Sequence, residues 1–185
     1  EIRYGDHHQA RAVYDVDLME LLEGIKRLQQ GKDLAGIELQ GAPRFLVGTT
    51  FNAGATGGAM GVELEELQKR VEKGVQFVIT TPVFDVEGFQ QTLNRMKDSG
   101  AAIIPTVLLL KSAGMARYID RNISHISIPD DTIKSIQKAP DKARRCVQVA
   151  GELITQLKKL GVAGVLISTI GWEDKLPQIL DMARV

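Results

Sequence analysis

Cysteine is all but missing from this chain. The lone Cys146 has no partner for an internal disulfide and no Cys or His around it at metal-binding spacing, so a reducing cytoplasm is expected. An excess of either charge is missing too. The 185 residues carry 23 basic and 23 acidic side chains, and the pairs Arg144-Arg145 and Lys158-Lys159 are short solvated runs. Phosphate neutralisation needs a clustered positive stripe, so a nucleic-acid surface is excluded. The longest apolar run, around Ala101 to Leu110, contains Pro105 and is too short to span a bilayer. No charged-then-apolar leader opens the chain, and its start at Glu1 rather than Met reads as a processed or truncated product. Histidine is scarce. Adjacent His7 and His8 would point in different directions on a strand or turn, and no third His or Cys is nearby in sequence, so no metal site is expected.

What is present is an ordinary globular composition, 44% hydrophobic and 25% charged, with room for one sizeable core. No linker or low-complexity tract interrupts it, so residues 1–185 are expected to form a single domain. Residues 45–50, 77–81, 101–110 and 165–170 are nearly continuous apolar or β-prone runs, as expected of parallel strands covered on both faces. A fifth strand ends near Tyr4. Between them, Leu18, Leu21, Leu22, Ile25 and Leu28 keep i, i+3, i+4, i+7 spacing, as do Leu64, Leu67 and Val71. Further helical stretches cover 86–98 and 142–160. Gly31, Gly74, Gly100 and Gly161 each follow a helical stretch, where a left-handed C-cap is favoured. Residues 52–61, rich in Gly and Ala, read as a mobile loop after a strand end, and Ile126 to Pro129 reads as strand-like, with His125 structural. The pattern is a βαβ series with right-handed crossovers. Five strands alone do not separate a doubly wound sheet from part of a barrel.

Chemistry is announced at the start. Ile2-Arg3-Tyr4-Gly5-Asp6-His7-His8 puts a carboxylate at the C-terminal end of a strand, where α/β folds place their active sites. Asp6 is either such a functional carboxylate or a turn or N-cap residue. Asp15 or Asp17 equally suits the N-cap of the helix that follows.

The segments Gly5-Asp6-His7, Val13-Tyr14-Asp15-Val16-Asp17, Val47-Gly48 with Asn52, and Ile79-Thr80-Thr81-Pro82-Val83-Phe84-Asp85 carry a resemblance. So do Ile103-Ile104-Pro105, Ile128-Pro129 and Gly161-Val162-Ala163-Gly164-Val165. Together, in collinear order over essentially the whole chain, they resemble the methylenetetrahydrofolate reductase family. The resemblance covers roughly the C-terminal three-fifths of that family's catalytic domain, an FAD-carrying (β/α)8 barrel. It implies an α/β fold that is a partial TIM barrel, strands four to eight with their helices.

It also implies roles. Tyr4, Gly5, Asp6 and His7 match the strand-four segment against the flavin, where a carboxylate tunes the cofactor near the N1/O2 edge. Tyr14 and Asp15 match a pair that touches the dinucleotide. Asn52 matches a residue flanking the flavin, with the Gly/Ala segment behind it offering N–H groups to phosphate. Glu63, Lys69 and Arg70 align with residues that reach ribose and pyrophosphate, or else form a solvated helix face. On the substrate side, Thr81 stands where many members carry a pterin-binding Gln, and Trp172 stands where better-known members carry an Arg for the folate tail. Trp172 either stacks on an aromatic ring or anchors the last helix. Met115 and Tyr118 border the loop that closes over substrate, or are core residues of an amphipathic helix.

The implied reaction is FAD-dependent reduction of 5,10-methylenetetrahydrofolate to 5-methyltetrahydrofolate, the flavin being reduced by NAD(P)H or by an electron-transfer partner subunit. The family's general acid, a Glu near the end of the first strand, matches no residue here, so the chain alone is expected to turn over weakly or not at all. An open half-barrel exposes two strand edges and favours a homo-oligomer or a larger complex. The alternatives are a non-catalytic flavin-binding scaffold, or an unrelated β/α enzyme acting on a pterin or phosphorylated substrate.

Overall fold

The computed structural model describes residues 15–184. Tyr4, Gly5, Asp6, His7 and Tyr14, with the strand expected to end near Tyr4, lie outside the described residues. The chain forms two compact units, Glu1–Phe45 and Leu46–Val185.

In the first unit, helix α1 (Leu18–Gln29) starts on a capping box. The Glu20 amide donates to Asp17 Oδ1 and the Asp17 amide donates to Glu20 Oε2, each at 2.8 Å. Asp17, not Asp15, is therefore the N-cap. Asp15 sits exposed in the bend just before it. Gly31 follows the helix at a φ of 77°, in the left-handed region the sequence assigned to it.

The second unit runs β1 (Gly48–Phe51), α2 (Gly57–Glu72), β2 (Phe77–Pro82), α3 (Val86–Lys97), β3 (Ala102–Leu108), α4 (Ala113–Asn122), α5 (Asp130–Lys138), α6 (Lys142–Lys159), β4 (Leu166–Ser168) and α7 (Leu176–Ala183). Its four strands make one parallel sheet in the order β1-β2-β3-β4. This is an α/β fold, and it agrees with part of a TIM-like barrel. Val78, Ile103 and Val107 of the central strands are buried in one core with Leu67, Leu93, Met96, Ile154 and Leu157 from the helices. Asp85, Ser112 and Asp141 cap α3, α4 and α6 through their side chains.

Four expectations need correction. Coverage on both faces holds for β2 and β3 but not for the outer strands: Thr50 is exposed, and so is Leu166 at 42%. Each outer strand has a neighbour on one side alone among the described residues. Residues 45–47 stay outside β1, which begins at Gly48. The Gly/Ala segment is a loop only to Thr56, because α2 begins at Gly57 and buries Met60 in its first turn. Ile126 to Pro129 lies outside the helices and pairs with no strand among the described residues. Its Ile126 and Ile128 are buried, and the Ile128 amide donates to Asp120 Oδ1 at 2.9 Å instead of to a sheet.

One irregularity shapes the sheet's C-terminal rim. The register of β2 slips between Ile79 and Pro82. Proline lacks the N–H a central strand needs, so the ladder cannot run on through it. The buried hydroxyls of Thr80 and Thr106 take over. Thr106 Oγ1 donates to the Thr80 carbonyl at 2.6 Å, Thr80 Oγ1 donates to the Thr81 carbonyl at 2.7 Å, and the Val83 amide reaches the Thr106 carbonyl at 3.0 Å. Bulges of this kind re-aim side chains at strand ends. Thr81 lies within the irregular stretch.

Candidate active site

All four strands are parallel, so their C-terminal ends share one rim. That rim carries Asn52, Thr81, Lys111 and Trp172, in that order across the sheet. Open α/β sheets and barrels both bind ligands there.

Asn52 and Thr81 meet through the β1–α2 turn. Asn52 Oδ1 accepts from the Gly54 amide at 3.2 Å, closing an Asx turn, and Thr81 Oγ1 accepts from the Ala53 amide at 3.1 Å. Each side chain thereby spends an acceptor on the protein and keeps a donor: the Asn52 amide NH2 and the Thr81 O–H. Glu63, on the second turn of α2, ties the same loop down by accepting from the Asn52 amide at 3.4 Å. Behind it, Thr56 gives α2 no side-chain cap, and a Cβ at Gly57 or Gly58 would meet nothing within 4 Å. The first N–H groups of α2 are thus open on a helix N-terminus.

Lys69 and Arg70 lie further down the same helix. Lys69 pairs with Glu66 at 2.7 Å on the exposed face, and that contact holds the Glu66 carboxyl below its ordinary value. Arg70 turns inward. Its Nη1 donates to the Thr50 carbonyl at 3.1 Å and to Thr49 Oγ1 at 3.5 Å, while its Nε is buried without a partner among the described residues. Arg70 fastens α2 to the outer strand and holds one unused donor there.

The other half of the rim centres on Trp172. The ring is partly buried against the core, and Lys111 Nζ stands 5.6 Å from its centroid. Met115, in the first turn of α4, accepts from the Lys111 amide on its sulfur at 3.4 Å, whereas Tyr118 points outward, 65% exposed. The turn before Trp172 is unusual. Ile170 and Gly171 both have positive φ, 47° and 78°. Gly171 adopts this freely, whereas a β-branched residue there is strained. Glu173 stabilises the turn, its Oε1 accepting from Thr169 Oγ1 at 2.8 Å and from the Gly171 amide at 2.9 Å. These bonds hold its carboxyl below its ordinary value. Because Ile170 is 51% exposed, Ile170→Gly sacrifices little burial. It is expected to stabilise the protein by about 1 kcal/mol in urea titration, through relief of strain.

Clefts border the second unit. One of about 260 Å³ opens beside the β1–α2 turn, between Ala53, Thr56, Phe84, Asp85 and His125. A larger one, about 510 Å³, lies between α6 and α7 around Arg144 and Lys175, with no strand-end residue in its wall. Chemistry favours the first. No group of three or more His, Cys, Asp or Glu able to hold a metal occurs among the described residues, and no helix among them is long and apolar enough to cross a membrane.

The structure thus brings together Asn52, Glu63 and Thr81, and separately Lys111, Met115 and Trp172. Asp15 belongs to the other compact unit. Sequence reasoning missed Lys111 and Glu173. The signal for Lys111 was available: it is the first charged residue after the buried strand-end run Leu108-Leu109-Leu110.

Comparison with known protein families gives a match to the model for methylenetetrahydrofolate reductase over residues 3–184. Comparison with curated proteins gives no match.

Proposed function

This chain belongs to the methylenetetrahydrofolate reductase family, and from that premise we propose that it serves the reduction of 5,10-methylenetetrahydrofolate to 5-methyltetrahydrofolate. Membership supports an oxidoreductase-type enzyme of folate one-carbon chemistry. The observation that carries the reading is the extent of the match, residues 3–184, which takes in every strand-end residue described above. In this reading residues 1–185 are the C-terminal part of one flavin-dependent barrel domain, and β1 to β4 are its fifth to eighth strands.

The proposed cofactor is FAD, and the residues present fit a dinucleotide. The uncapped start of α2, with room beside Gly57 and Gly58, suits phosphate oxygens. Arg70 would add positive charge at the flank of α2, its Nε being buried without a partner among the described residues. Asn52 would donate its amide to the ring system, and Glu63 would hold Asn52 in place rather than touch ribose directly. Lys69 would supply a mobile positive charge. Tyr4, Gly5, Asp6, His7, Tyr14 and Asp15 would complete the flavin pocket.

When bound, the flavin supplies the hydride. The protein's share is orientation and electrostatics. Asp6 would hold a negative charge beside the flavin, opposing charge build-up there and favouring a cationic folate opposite it. Thr81 would donate one hydrogen bond to the pterin. It cannot make the two-point contact of an amide side chain, so it orients the ring less rigidly. Met115 and Trp172 would close the far side. The electron donor would be NAD(P)H or a partner subunit, in a homo-oligomer or larger complex within the cytoplasm, and the proton for ring opening would come from a Glu outside these residues.

The test is spectroscopic. The purified chain should be yellow, or become so on adding FAD, and the full-length protein with its first-strand Glu should bleach with NADH or a reduced electron carrier and recolour with methylenetetrahydrofolate. Failure to take up FAD would overturn this reading and leave a scaffold half-barrel.

A further inference from the structure

Lys111 is placed as a ligand-binding cation rather than as a structural one. It leaves the end of β3, directly after the fully buried Leu109 and Leu110, and is itself only partly buried. Its ammonium carries three donors and no acceptor. Among the described residues no hydrogen bond or ion pair engages that ammonium, and its described partner is the Trp172 ring, 5.6 Å from Nζ to centroid. Glu173 is close enough for Lys111 to influence its charge, but no ion pair joins the two among the described residues. The same Glu173 oxygen already accepts from Thr169 and Gly171.

The surroundings hold this cation in position. Two successive left-handed residues, Ile170 and Gly171, carry the chain back so that Trp172 lies under the Lys111 side chain. The Lys111 side chain passes close over this turn: a Cβ at Gly171 would lie in ordinary contact with Nζ, at 3.7 Å. An indole face attracts an ammonium through its quadrupole but accepts none of its hydrogen bonds, so the donors stay available. A strained turn, a ring shelf and an unpaired cation at the rim of the sheet together describe a waiting anion site.

We propose that Lys111, shelved on Trp172, binds an anionic group, carboxylate or phosphate, of the substrate or electron donor. The proposal rests on the function proposed above for its setting, though not for its chemistry. A carboxylate would come from a glutamate tail on a folate, and a phosphate from a nicotinamide dinucleotide. Either would form a charge-assisted hydrogen bond with the ammonium.

Trp172 is the single tryptophan of the sequence, so its fluorescence reads the site directly. The purified protein would be titrated with γ-linked triglutamate and, separately, with inorganic pyrophosphate. One of the two is expected to give a saturable change in emission. Lys111→Met should weaken that binding at least about tenfold, and Lys111→Arg should retain it. Triglutamate as the responding probe assigns the site to the folate tail, and pyrophosphate assigns it to the dinucleotide. Equal responses from wild type and Lys111→Met with both probes, circular dichroism being unchanged, overturn the proposal. A turnover assay on the full-length protein, which would carry the first-strand Glu, separates the two readings. A responding site in a protein without methylenetetrahydrofolate turnover removes the function and keeps the site. Turnover whose KM for polyglutamyl folate and for NADH is the same in wild type and Lys111→Met removes the site and keeps the function.

Discussion

Gly54→Ala is expected to lower the thermal unfolding midpoint by about 2–12 °C and to loosen the half of the rim that holds Asn52 and Thr81. Gly54 is exposed and its φ is unremarkable, so neither burial nor left-handed geometry explains the glycine. Close approach does. A Cβ at this position would run into the backbone carbonyl of His125, where the α4–α5 connection crosses the β1–α2 turn. Backbone cannot rotate away as a flexible side-chain tip can, so one of the two loops must move. Overpacking of this kind costs about 1–3 kcal/mol, and one kcal/mol corresponds to about 2–4 °C in a chain of this size. The consequence reaches the site because the Gly54 amide closes the Asx turn of Asn52 and the neighbouring Ala53 amide holds Thr81. Differential scanning calorimetry measures the first effect, and FAD titration of the folded variant measures the second. A wild-type midpoint would show that the two loops do not pack as described.

Asp6→Asn is expected to have the largest effect on chemistry. Within the proposed function, this carboxylate is a fixed charge beside the flavin, and removing one preorganised electrostatic group of that kind costs about a hundredfold or more in rate. Asparagine preserves the size and hydrogen-bonding reach of the side chain, so the change isolates charge. The expected result is normal flavin content, a raised flavin potential and a folate half-reaction slowed about a hundredfold, measured by stopped-flow reoxidation with methylenetetrahydrofolate. Unchanged potential and unchanged reoxidation would assign Asp6 to the turn or cap role that its residue type also suits.

How legible the protein was depends on the kind of signal. The helices at 18–29, 86–97 and 142–159 were readable within one residue, because each pairs an apolar stripe of helical period with an aspartate cap or a following left-handed glycine. The start of α2 was not readable. Gly57, Gly58 and Gly61 have poor helix propensity, and what holds them helical is the burial of Met60 one turn in. Ile126 to Pro129 failed the other way. Its alternation of buried and exposed residues is genuine, but alternation records which side faces the core and cannot tell whether a partner strand exists. At the site, Asn52, Thr81 and Trp172 were legible as strand-end residues, whereas the inward turn of Arg70 was not, since Lys69 and Arg70 are neighbours with the same charge.

The family, the alternation of strands and helices, and the strand-end rim that is the candidate site could be read from the residues alone. These depend on local periodicity and on collinear motifs, which a linear chain carries in full. Which side chains on that rim are already committed emerges only in the folded chain. Asn52 and Thr81 keep donors because loop amides occupy their acceptors. Lys111 keeps all of its donors because its described neighbour is an indole ring. A side chain's free valence is set by neighbours distant in sequence, and that information exists only once the chain has folded.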